Sequence, residues 1–176
     1  MAKYGLYAAL ALALLTVSGL SAETVTITLV QNEKAPNIAL EMSNAIEDEI
    51  FGHFYDAGHI ASNTEIRLDG SRFHEKNFGV KEAAFGYSDF LVVVSVQYGP
   101  AEITDKEKKI TYAELDSITW RLVEVKTSKI VAEKTIDAKK VTVTQSDPYL
   151  QARVDAGMTA DDALKEIAKF NEGEKR

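Results

Sequence analysis

The sequence predicts an α+β fold: one domain built on a mixed β-sheet with helices packed against it, in the order β-α-β-α-β-β-β-α. Three observations carry this reading. Thr24 to Val30 alternates strictly between apolar and Thr residues, the pattern of a half-buried strand. Ile38, Met42, Ile46, Ile50 and Phe54 recur every four residues, the apolar stripe of a helix. Residues 110–125 and 129–137 read as two long strands joined by the short turn Lys126-Thr127-Ser128-Lys129. Crossovers through helices permit parallel strands and the late hairpin demands antiparallel ones, so the sheet is mixed.

In the first strand Val25, Ile27 and Leu29 face the core, and the β-branched Thr24, Thr26 and Thr28 face away. Pro36 suits the first turn of a helix over residues 36–57, where its missing N–H costs nothing. Glu41, Glu47, Asp48 and His53 lie off the apolar stripe, and Gly58 is a left-handed stop. His59 to Leu68 reads as a second strand, followed by a turn at Asp69-Gly70-Ser71. Residues 78–87 predict a short helix with Val80, Ala83, Ala84 and Tyr87 on its buried side. Phe90 to Val96, bounded by Asp89 and Gly99-Pro100, is a strand buried on both faces.

Residues 99–109 read as a charged, solvated loop. In the hairpin, Ile118, Trp120 and Leu122 mark the core face, and Ile130 and Ala132 continue it. The phase shift between Leu122 and Val123 predicts a β-bulge. Val141 to Thr144 is a candidate short edge strand, and Asp147-Pro148 opens a weak turn or helix. Thr159 with Asp162 reads as the N-cap of a terminal helix carrying Leu164, Ile167, Ala168 and Phe170. Asn171 to Arg176 reads as frayed.

Residues 1–22 read as a secretory signal peptide, leaving 23–176 as the extracytoplasmic domain. Lys3 supplies the positive start, Leu6 to Val17 the apolar run, and Ser18, Gly19, Ser21 and Ala22 the small residues near a cut after Ser21 or Ala22. The run from Gly5 to Val17 is shorter than the roughly 20 residues a spanning helix needs. The expected protein is periplasmic or secreted and not integral to a membrane. Losing Lys3 moves the net charge from −7 to −8. That sign disfavours nucleic acid and anionic lipid as partners. The chain has no Cys, so it has neither a disulfide nor a lipidated N-terminal Cys.

His53, Asp56 and His59 form an H-x-x-D-x-x-H spacing, with His74 a further candidate ligand. His53 and Asp56 can share a helix face, but Gly58 breaks the helix before His59. No metal, cofactor or catalytic residue is therefore expected. Gly86-Tyr87-Ser88-Asp89-Phe90 has the look of a nucleophile elbow, but Ser88 precedes its strand rather than following one, which predicts an ordinary helix-to-strand turn. Glu47-Asp48-Glu49 and Asp161-Asp162 read as solvated helix faces. Phe73, Phe78, Phe85 and Tyr87 cluster in sequence; core filling is expected for most, and a recognition rim is the other reading.

Three stretches taken together resemble a known group: FGHFYDAGHIASN (Phe51 to Asn63), DFLVVVSVQYG (Asp89 to Gly99) and SITWRLVEVKTSKIVAEKTI (Ser117 to Ile136). The chain is similar there to the periplasmic α/β domains of the curli-secretion component and the penicillin-binding-protein activator lipoproteins. These are related in fold to the amino-terminal domain of the Tol-system propeller protein. The resemblance implies a non-enzymatic binding or adaptor domain in envelope assembly or regulation, with an envelope protein as partner. The chain lacks the lipidated Cys and a membrane-inserting hairpin, so pore formation is not implied. The alternatives are a small metal-dependent hydrolase using His53, Asp56 or His74, and a ligand carrier.

Overall fold

The first strand, β1 (Thr24–Gln31), lies inside the sheet, with neighbours on both sides. The computed structural model describes residues 22–140 and 147–174. The elements after β1 are α1 (Ala39–Asp56), β2 (Ile60–Asn63), a 3-10 turn (Gly70–His74), α2 (Val80–Phe85), β3 (Phe90–Asp105), β4 (Ile110–Glu124), β5 (Lys129–Asp137) and α3 (Pro148–Glu174). The five strands are ordered β2-β1-β3-β4-β5. β1 pairs parallel with β2 and β3, and β3, β4 and β5 pair antiparallel. The expected α+β class, mixed sheet and element order are observed. The signal peptide and the strand expected at Val141 to Thr144 lie outside the described residues, Ala22 apart.

The sheet has two covered faces. On one, Val25, Ile27 and Leu29 of β1, Val92 and Val94 of β3, and Trp120 of β4 pack against α1 and α3. On the other, Leu91, Val93 and Val123 meet Phe73, Phe78, Val80 and Ala83. The expected half-buried β1 is therefore corrected. Thr26 and Thr28 are buried too, because the segment between β2 and β3 covers them. Their hydroxyls are satisfied there: Thr26 Oγ1 lies 2.7 Å from Ser88 Oγ, and Thr64 Oγ1 donates to Thr28 Oγ1 at 3.1 Å.

Arg121 fastens this second layer. Its Nε donates to Glu133 at 2.6 Å, its Nη1 donates to the Phe73 carbonyl at 3.0 Å, and its guanidinium lies 4.6 Å from the Phe73 ring centre. A buried guanidinium is tolerated when its donors are used and its plane is stacked, and here both conditions hold.

Several boundaries differ from expectation. The helix starts at Ala39, after a turn in which Ala39 N donates to the Pro36 carbonyl. Gly58 is the left-handed stop, at φ 86°. β2 ends at Asn63, although the chain runs on beside β1 and touches it again at Arg67. β3 continues past Gly99-Pro100 to Asp105, so much of the expected loop is strand. Pairing lapses between Tyr98 and Glu102, where Pro100 has no N–H to give, and then resumes. Only the tip is a turn, with Asp105 Oδ1 accepting from the N–H groups of Glu107 and Lys108.

The expected shift at Leu122/Val123 is present, with Val131 of β5 as the extra residue. It sends Ala132 to the first core face and Ile130 to the second, so the two do not continue one face as expected.

α3 corrects the Thr159 N-cap. The cap lies twelve residues earlier, at Asp147, whose Oδ1 accepts from Tyr149 N at 2.8 Å. Thr159 sits mid-helix and donates to the Asp155 carbonyl at 3.0 Å. Asn171 to Glu174 are helical rather than frayed, and residues 175–176 lie outside the described residues. The buried face of α3 carries Ile167 near its end and, before it, Ala152, Ala156, Ala160 and Ala163. These short side chains let α3 approach α1 closely; a Cβ on Gly157 would lie 3.0 Å from His53 Nε2.

Candidate functional site

α2 is a short helix, and its ending is unusual. Tyr87 N donates to the Ala84 carbonyl at 3.1 Å, and Ser88 N donates to the Ala83 carbonyl at 2.9 Å. These are the two reversed bonds of a Schellman stop, which places Tyr87 at the left-handed position usually held by Gly. Tyr87 has φ 57°. The available glycine, Gly86, stands one residue too early and has φ −77°. A side chain in this conformation costs roughly 1–2 kcal/mol.

That strained residue does not fill the core. Tyr87 is 89% exposed, and Phe85, the last residue of α2, is 88% exposed. The expected buried side of α2 is corrected accordingly: Val80 and Ala83 are buried, but Ala84 and Tyr87 are not. The short helix turns only one narrow face to the sheet. Of the four clustered aromatics, Phe73 and Phe78 fill the second core layer and Phe85 and Tyr87 stand in solvent.

The turn is clamped from behind. Thr24 Oγ1 lies 2.6 Å from Asp89 Oδ2 and 2.9 Å from the Tyr87 carbonyl, and it accepts from Asp89 N at 3.0 Å. Thr24 N also donates to Asp89 Oδ2, at 2.8 Å. Burial pushes Asp89 up, but these hydrogen bonds outweigh it and hold its carboxyl below the usual range. Beside it, burial and then the Asp89 charge raise Glu23, whose Oε1 accepts from Asn171 of α3 at 3.1 Å. The turn borders an open cleft of about 530 Å³, lined among others by Glu23, Tyr87, Asp89, Glu124, Lys126 and Asn171. Ser88 is buried against Thr26 between α2 and β3, the helix-to-strand turn that was expected.

The histidine candidates are dispersed. His53 Nδ1 lies 3.0 Å from Asp161 Oδ1 and its Nε2 3.5 Å from Glu49 Oε1. Its polar partners are thus on α1 and α3, not at Asp56. His59 places its ring edge-on to Phe54, 6.0 Å between centres, and His74 does the same to Phe73. Among the described residues no group of three or more His, Cys, Asp or Glu is placed to hold a metal ion. Glu47 departs from the expected solvated face: it is 7% exposed, and Asn63 Nδ2 donates to its Oε2 at 3.0 Å. Among the described residues no helix is long and apolar enough to cross a membrane.

A family model described as "Uncharacterised protein" matches residues 24–173. No curated protein matches the chain. Among solved structures, the chain is similar to the PelC dodecamer of Paraburkholderia phytofirmans, at 12% identity and TM-score 0.46, over 82% of this chain and 86% of that one. It is similar to lipoprotein GNA1162 of Neisseria meningitidis, at 13% identity and TM-score 0.42, over 84% and 99%. It is also similar to TolB of Acinetobacter baumannii, at 9% identity and TM-score 0.44, over 84% of this chain and 28% of TolB.

Proposed function

We propose, from the premise that the chain belongs to the family described as an uncharacterised protein, that it is a non-enzymatic extracytoplasmic binding or adaptor domain that grips an envelope protein through Phe85 and Tyr87. The observation that carries this is the exposed aromatic at a left-handed position. A residue that strains the backbone and buries nothing gives the free domain no return, so its return comes from a contact made elsewhere. Aromatic side chains are enriched at the centres of interfaces because they bury much area with few rotatable bonds. The Thr24–Asp89 clamp holds the turn in one shape, which lowers the ordering cost of binding. The secretory leader expected from the sequence and the acidic net charge support an extracytoplasmic protein partner over nucleic acid.

The test is a photo-crosslinking residue at position 85 or 87 in the native envelope, with position 106 on the hairpin tip as control. One discrete adduct from 85 and 87, absent from 106, is expected. Phe85→Ser with Tyr87→Ser should abolish co-purification of that partner without lowering the melting temperature. Equal labelling at all three positions, or co-purification that survives the double substitution, would refute the proposal.

A further inference from the structure

A groove separate from the aromatic turn runs between α1 and the edge strand β2, with a volume of about 440 Å³. Leu40, Ile66 and Leu68 supply its apolar walls, and Asn44, Glu47 and Asn63 its polar floor. Among the described residues no Lys or Arg lines it; Glu65 at its border is paired with Arg67 at 3.7 Å. Leu40 and Leu68 are exposed although they are large and apolar. Glu47 is the anomaly. It is buried, one carboxylate oxygen is used by Asn63, and the other, Oε1, is buried with no hydrogen-bond partner. A buried acceptor left unmade is costly, and most such groups in native proteins are satisfied.

We propose that this groove binds an alkylammonium group, its nitrogen against the Glu47 carboxylate and its methylenes along Leu40, Ile66 and Leu68. An ammonium offers three donors and a full positive charge on a flexible apolar stem, which matches one unfilled acceptor and an aliphatic wall. Charge complementarity points the same way, since the protein is acidic and no described Lys or Arg lines the groove. Burial, followed by the neighbouring Asp48 charge, raises the Glu47 carboxyl above its ordinary value, while the Asn63 hydrogen bond opposes them. A bound cation favours the ionised carboxylate, so binding releases a proton where Glu47 is still partly protonated. The group can come from a free amine or from a lysine side chain of another protein.

The probes are butylammonium chloride, butanol as the neutral analogue, and a doubly blocked Gly-Lys-Gly peptide, titrated into the leader-free protein and followed by methyl NMR. Butylammonium should shift the methyls of Leu40, Ile66 and Leu68 saturably. Butanol should bind at least about tenfold more weakly, the least expected from losing a charge-assisted hydrogen bond. Glu47→Gln should weaken butylammonium by a similar factor, and calorimetry in two buffers should show proton release that this variant lacks. Leu68→Ala, an exposed change that leaves the core intact, should weaken binding about threefold, as losing part of one apolar contact implies. Tighter binding of the peptide than of butylammonium identifies a protein-borne lysine, and equal binding a free amine; either supports the assignment. Equal binding of butanol, shifts that do not saturate, or unchanged affinity in both variants would overturn it.

Discussion

The side chain of Asn32 pairs with the main chain of Tyr98 in both directions. Its Nδ2 donates to the Tyr98 carbonyl at 3.0 Å, and its Oδ1 accepts from Tyr98 N at 2.8 Å. The pair stands just beyond the last β1–β3 register pair, Gln31 with Val96. A side-chain amide thus continues the ladder after β1 has turned away. The same corner is closed by Ser43, which donates to Gln31 Oε1 at 2.8 Å and lies 3.0 Å from the Tyr98 hydroxyl. Burial pushes that hydroxyl far above its ordinary pKa, so it stays neutral and able to donate.

Asn32→Ala removes both side-chain hydrogen bonds to the Tyr98 main chain and should cost about 1–3 kcal/mol, the range for buried polar groups left unpaired. Urea unfolding measures it. A loss below about 0.5 kcal/mol, the level of ordinary surface changes, would mean that water replaces the amide at no cost.

Trp120 has 0% exposure and lies at the centre of the first core face, beside Ile118 and Leu122. Trp120→Ala should destabilise by about 3–5 kcal/mol through lost transfer energy and the cavity left behind. A two-state denaturant curve with little shift in its midpoint would contradict the packing described.

Tyr87→Gly relieves the left-handed backbone at φ 57°. Glycine carries no Cβ penalty there, although it adds freedom to the unfolded chain, so a gain of about 0.5–1 kcal/mol is expected. The crosslinked partner should be lost at the same time. A variant that is both less stable and fully competent in binding would remove the link drawn between strain and recognition.

Asp155 is fully buried on α3; Gln151 donates to its Oδ1 at 2.8 Å, and its Oδ2 has no hydrogen-bond partner. Burial raises its carboxyl above the ordinary value of 3.8, against the opposing pull of the Gln151 hydrogen bond. The folded state therefore holds the proton more tightly than the unfolded chain. This contribution to stability is fully present below pH 3.8 and is lost as pH rises through the folded-state value. Asp155→Asn cannot ionise and should be more stable than the parent at pH 7, by about 1–2 kcal/mol. The advantage should shrink on acidification. Parallel melting curves at pH 3.5 and 7 are the check, and a constant difference would exclude Asp155 as its source.

The strands and α1 were legible because their apolar residues repeat at the period of one element: every second position in β1, every fourth along Ile38 to Phe54. The second half of α3 was legible through Leu164, Ile167 and Phe170, but its first half was not, because the apolar residues it buries there are Ala152, Ala156 and Ala160, too weakly apolar to stand out from a solvated helix. The second face of β1 failed for a related reason. Threonine alternation looks like a solvent face, and only the tertiary path of the segment after β2 buries it. The aromatic turn was half legible. Phe73, Phe78, Phe85 and Tyr87 are alike in composition, and what separates them is a six-residue helix too short to offer a second buried face. The burial of Glu47 depends on Asn63, sixteen residues away, so no local spacing announces it.

The helix that seals the first core face follows all five described strands in the sequence. Phe170 of α3 meets Phe90, the first residue of β3, edge-on at 5.6 Å between ring centres. All five described strands precede Pro148, so without α3 part of their apolar floor would stay wet.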